Sequence, residues 1–98
     1  MTPDEITWKL ADFKRDFQLT YEELDHIGKV GMPYFKKRVR NMDRIRNEMR
    51  GLVSPERMRK WLFAHNKILK DSYFNLMAQG YFNKVIADIT AIKEGVYV

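Results

Sequence analysis

The segment MPYFKKRVRNMDRIRNEMR, residues 32–50, limits what this chain can become more than any other. At about 100° per residue, Phe35, Val39, Met42, Ile45 and Met49 fall within one arc of about 120°, the width of a core-facing stripe. Lys36, Lys37, Arg40 and Arg44 gather on the other side. A helix divided in this way can be gripped by a small core while it offers a cationic face to something else. Gly51 follows it as a natural stop.

Charge is unevenly distributed along the chain. The net value is +5. Residues 1–31 hold four Lys/Arg against seven Asp/Glu, residues 32–70 twelve against three, and residues 71–98 two against three. A basic middle third flanked by mildly acidic segments points to a polyanionic partner. A solvated helix face without a partner is the plainer alternative. An apolar fraction of 45% and charges of both signs fit one folded domain over residues 1–98. Cysteine is absent, which excludes disulfides and thiolate metal sites. No apolar run approaches the roughly 18 residues of a membrane span, and the opening MTPDEITWK is unlike a secretory signal. The chain reads as cytoplasmic and as complete from its initiator methionine, with no membrane partner expected.

The other segments carry helix signals of their own. Thr2, Pro3, Asp4 and Glu5 start a first helix whose apolar stripe is Ile6, Leu10, Phe13 and Phe17. Trp8 points away from that stripe and is expected to be covered by another part of the fold, with a partner or self-association contact as the alternative. Thr20 and Glu23 form a capping box, Leu19 and Leu24 occupy staple positions, and a short second helix should end near Gly28. Ser54 and Pro55 repeat the start signal. Met58, Trp61, Leu62, His65, Ile68 and Leu69 then share one face, which makes His65 a buried histidine, with a break expected near Asp71 or Ser72. A last helix should run from about Phe82 to Lys93, stopped by Gly95, and the apolar tail at 96–98 is expected to dock on the domain or a neighbour. The fold class is therefore all-α, a compact bundle of four to five helices.

Residues 20–50, a short capped helix, a glycine-containing turn and a second helix with apolar anchors and surplus cations, resemble a helix-turn-helix over about a quarter of the chain. By that resemblance Lys36, Lys37, Arg40 and Arg44 would face a duplex, and Asn41 and Asn47 would reach base edges. A plain helical hairpin with a basic face satisfies the same residues. Phe63 and Phe74, set among lysines, are candidate platforms for stacked bases. Arg46 projects into the apolar arc of its helix and should snorkel outward or pair with Asp12, Asp16 or Asp25.

Catalytic motifs are missing: there is no Gly-rich phosphate loop, zincin motif or nucleophile elbow. Neither an enzyme nor a cofactor or metal site is expected. Two functions remain. One is a DNA-favouring nucleic-acid-binding protein, a regulator or an accessory subunit of a DNA-processing machine, acting as a homo-oligomer. The other is an adaptor or inhibitor that grips an acidic protein surface with its basic helix.

Overall fold

The start and stop signals become six helices in the computed structural model, which describes residues 2–95 apart from the side chains of residues 32 and 33. They are α1 (Pro3–Asp16), α2 (Tyr21–Gly28), α3 (Met32–Met49), α4 (Pro55–Phe63), α5 (Tyr73–Gln79) and α6 (Phe82–Lys93), with no strand among the described residues. Side chains close the starts of α1, α2, α4 and α5. Thr2, Ser54 and Ser72 accept from the backbone N–H groups of Glu5, Arg57 and Asn75. Thr20 accepts from Glu23 at 3.1 Å while the Glu23 carboxylate accepts from the Thr20 N–H at 2.8 Å, completing the capping box. Each such cap is worth about 1 kcal/mol.

The all-helical class holds, with one helix more than the four to five expected. The periodicity that carried a fourth helix through Leu69 was misleading. That helix ends at Phe63, because the Asn66 side chain accepts from the N–H groups of Ile68 and Leu69 and so competes with helical pairing. Ser72 then caps a separate helix. His65 is consequently exposed instead of buried. Trp8, expected to be covered, is 65% exposed. The apolar tail at 96–98 lies outside the described residues.

The core gathers around α3, whose Val39, Met42, Ile45 and Met49 are buried while Phe35 is half-buried. Phe13 and Phe17 of α1, Ile27 of α2, Leu62 of α4, Met77 of α5 and Ile89 of α6 close around them. Helix α3 packs against α1, α2 and α6, while α5 ties α2, α4 and α6 together. Residues 20–50 thus form a capped helix, a short connection and a long central helix gripped from three sides; that arrangement alone does not make a helix-turn-helix. Gly28 permits the approach of α3, since a Cβ there would stand 3.0 Å from the Phe35 ring.

One basic side chain of the middle third works inside the fold. Arg38 donates through Nη1 to the Ile27 carbonyl at 2.7 Å and to the Ala78 carbonyl at 2.9 Å. These carbonyls belong to the last turns of α2 and α5, where no intrahelical donor remains. Gly80, in the left-handed region at φ 94°, leaves room for it: a Cβ there would lie 3.2 Å from Arg38 Nη2. Arg38→Ala is expected to cost about 2 kcal/mol by orphaning two carbonyls, read as a lower urea midpoint, and Arg38→Lys should restore only part of it. An unchanged midpoint for Arg38→Ala would show that the two helix ends do not need the guanidinium.

Candidate functional site

The basic residues of the middle third divide into an inward set and an outward set. Arg46 is the clearest inward member, with a side chain only 14% exposed. Its guanidinium reaches Asp16 at 3.2 Å, Asp43 at 3.1 Å and Asp12 at 3.8 Å, and Lys9 adds a 2.6 Å bond to Asp43. Two of the three acids expected for it, Asp12 and Asp16, are its partners; Asp25 is exposed on α2. The cluster fastens α1 to α3. Arg15, then burial working the other way, then Arg46 set the balance at Asp16, whose carboxyl is held below its ordinary range. At Asp43 burial opposes ionisation, but hydrogen bonds from Lys9 and Arg46 outweigh it and lower the pKa.

Arg59 is a second inward member. It meets both Glu23 carboxylate oxygens, at 2.7 and 3.0 Å, and donates to the Gln18 carbonyl at 2.6 Å. The same Glu23 closes the capping box of α2, so one carboxylate joins a helix start to α4. The hydrogen bond from Arg59 is the largest cause of its lowered pKa.

The outward set is the group singled out in the sequence. Lys36, Lys37, Arg40, Arg44 and Asn47 are exposed along α3, and Asn41 is half-buried at the edge of the same face. From Lys36 to Asn47 the stripe runs roughly 16 Å at the helical rise. None of its four cations has a carboxylate within 4 Å among the described residues. Tyr34, 68% exposed, lies in the first turn of the same helix. Structure therefore brings the predicted residues together on α3.

The aromatic platforms expected for stacked bases are used otherwise. Phe63 and Phe74 stack on each other with centroids 4.4 Å apart, because α4 and α5 lie side by side, and Phe74 is buried. Arg59 covers the Phe63 ring at 4.4 Å and His26 stacks on Phe74. A surface that the sequence reading missed is an apolar recess of about 630 Å³ between α1 and α2, lined by Leu10, Ala11, Tyr21 and Leu24 and closed by Phe35. Its only sequence signal was the off-stripe character of the Trp8–Ala11 side of α1.

The sequence matches no family model and no curated protein. Among solved structures, it is similar in fold to a chain of the M. tuberculosis MbcT–MbcA toxin–antitoxin complex. The TM-score is 0.74, 21% of residues are identical, and the match covers 92% of this chain and 95% of that one. At this identity the likeness shows a shared fold.

It also corrects the DNA-binding expectation. That neighbour comes from a toxin–antitoxin complex, not from a regulator or subunit of a DNA-processing machine. The physical reason for the error lies in the charge count. It credited the surface with Arg38 and Arg59, both of which hold the fold together.

The Arg46 cluster makes stability acid-sensitive. Asp16 and Asp43 have folded-state pKa values below their ordinary 3.8. Their contribution is therefore complete above that value and is lost as pH falls through the lowered ones. The urea midpoint should fall below about pH 4, and it should fall less in Arg46→Leu. Identical acid profiles for the two proteins would show that Arg46 does not hold these carboxylates.

Proposed function

We propose that this chain is a protein-binding module, without catalysis of its own, that acts as the neutralising or accessory member of a toxin–antitoxin type of pair. It grips an acidic protein surface with the outward face of α3. The observation that carries the reading is the stripe of Lys36, Lys37, Arg40 and Arg44, with no carboxylate within 4 Å among the described residues, on a helix anchored from three sides. Such a stripe speeds encounter with an acidic partner and fixes register. Tyr34, Arg40 and Arg44 are residue types that dominate protein interfaces. The fold shared with a toxin–antitoxin chain supports a protein partner over a nucleic acid.

Anchoring matters because a partner then meets cations whose backbone is already ordered. Little conformational entropy is lost on docking beyond the long side chains themselves. Rim charges chiefly affect association rate, so salt should slow binding more than it speeds release.

The test is affinity capture from the native cell followed by titration with the purified captured protein. Replacing Lys37, Arg40 and Arg44 together by Ala is expected to weaken binding by at least about tenfold and to flatten its salt dependence, with the helical circular dichroism unchanged. Expression of the captured protein alone should arrest growth, and co-expression of this chain should relieve the arrest. Equal affinity for the triple variant would remove α3 from the interface, and growth unaffected by the captured protein would remove the toxin–antitoxin assignment.

A further inference from the structure

Between α4 and α5 the chain builds a small, fixed projection. The Asn66 N–H donates to the Asp71 carbonyl at 2.9 Å, closing an antiparallel bridge. Inside it the Asn66 carboxamide oxygen accepts from Ile68 N at 2.9 Å and Leu69 N at 3.1 Å. Asp71 is turned back toward α5, accepting from Ser72 N and the Asn75 side chain, both at 2.8 Å. Lys70 takes the left-handed conformation at φ 58°, which a side chain adopts only where the surroundings impose it.

The two apolar residues of this turn part company. Leu69 turns inward and packs against the core, whereas Ile68 is 86% exposed. Lys67 and Lys70, on either side, are also exposed, and neither has a carboxylate within 4 Å among the described residues. The one acid of the turn, Asp71, is engaged within the molecule. The turn therefore presents a branched apolar side chain between two uncompensated cations, on a backbone whose shape is already set.

We infer that the 65–71 turn is a docking prong: Ile68 enters an apolar socket on a partner protein, and Lys67 and Lys70 meet carboxylates on the rim of that socket. Charge selects this occupant. A second copy of the chain offers an apolar recess between α1 and α2, but its lining carries a single acid, Asp25, beside Lys14 and Arg15, too few carboxylates for the prong's two lysines. A lipid bilayer would receive one isoleucine, far less apolar surface than stable membrane attachment needs. A protein socket buries the same side chain fully and pairs both ammonium groups. The preset turn adds affinity because little ordering remains to be done on binding. This inference rests on the protein-binding reading, though not on the α3 stripe.

The experiment uses the full chain in its native cell, with the photoreactive residue p-benzoylphenylalanine in place of Ile68 in one strain and of Lys37 in another. Irradiation from position 68 is expected to give an adduct that maps to a partner segment combining apolar residues with Asp or Glu. With that partner purified, Ile68→Asp should weaken binding at least about tenfold, and Lys67→Glu with Lys70→Glu should do so as well, each with unchanged helical signal. An adduct from position 37 but none from 68 overturns the prong and leaves the α3 face standing. An adduct from 68 but none from 37 supports the prong and removes the α3 face. Adducts from neither position overturn both. An adduct confined to a segment lacking acids, or Ile68-dependent flotation with phosphatidylserine vesicles, also overturns the prong.

Discussion

A guanidinium placed among three carboxylates decides how this molecule is arranged. Arg46 occupies the middle of the apolar face of α3, where an unpaired charge would be prohibitive. It is tolerated because Asp12 and Asp16 come from α1 and Asp43 from α3 itself, with Lys9 balancing the excess negative charge. The arrangement sets the position of α1 on α3, since a shift of either helix by one residue would leave the arginine with Asp43 alone. Arg38 and Arg59 do related work elsewhere. One gathers the carbonyl ends of α2 and α5, the other joins the start of α2 to α4. Three arginines thus give polar specificity to a core of Phe, Ile, Leu and Met that would otherwise allow several similar packings.

This use of arginine explains how the chain combines a small core with an uneven charge distribution. Arg46 and Arg59 are matched by carboxylates and add little to the external field, while Arg38 is held inside by two carbonyls. What reaches solvent includes the stripe on α3 and the lysines of the 65–71 turn, beside Arg50, Arg57 and Lys60. Both are presented on ordered backbone, one on a long helix and the other on a turn built by the Asn66 side chain. In the proposed complex an acidic protein surface would complement such features by charge, while Ile68 would supply the apolar contact that charge alone lacks.

Much of the fold was legible because its signals are local. The Thr20–Glu23 box, the Ser54–Pro55 start, the stripe from Val39 to Met49 and the last helix from Phe82 to Lys93 all follow from spacing and capping chemistry. The outward residues of α3 were legible for the same reason: a face opposite a core stripe has nowhere else to point. What failed was tertiary. Apolar spacing through Ile68 and Leu69 mimicked a continuing helix, and only the competing bonds of Asn66 show why it stops. Phe63 and Phe74 looked like unpartnered rings because nothing in the sequence says that α4 and α5 lie together. Most consequentially, a charge count cannot separate arginines that hold helix ends from those that meet a partner. That confusion produced the nucleic-acid reading.

The central claim is therefore a division of labour among the cations of the middle third, and equilibrium unfolding in urea tests it most directly. A variant with Lys36, Lys37, Arg40 and Arg44 all replaced by Ala should unfold at a midpoint equal to or above that of the parent, since removing mutually repelling surface charges costs the fold nothing. Arg59→Ala, a single change that strips Glu23 and Gln18 of their partner, should unfold earlier. A quadruple variant that loses as much stability as Arg59→Ala, or more, would contradict the account, because the outward stripe would then be part of the scaffold and not a surface held out for another protein.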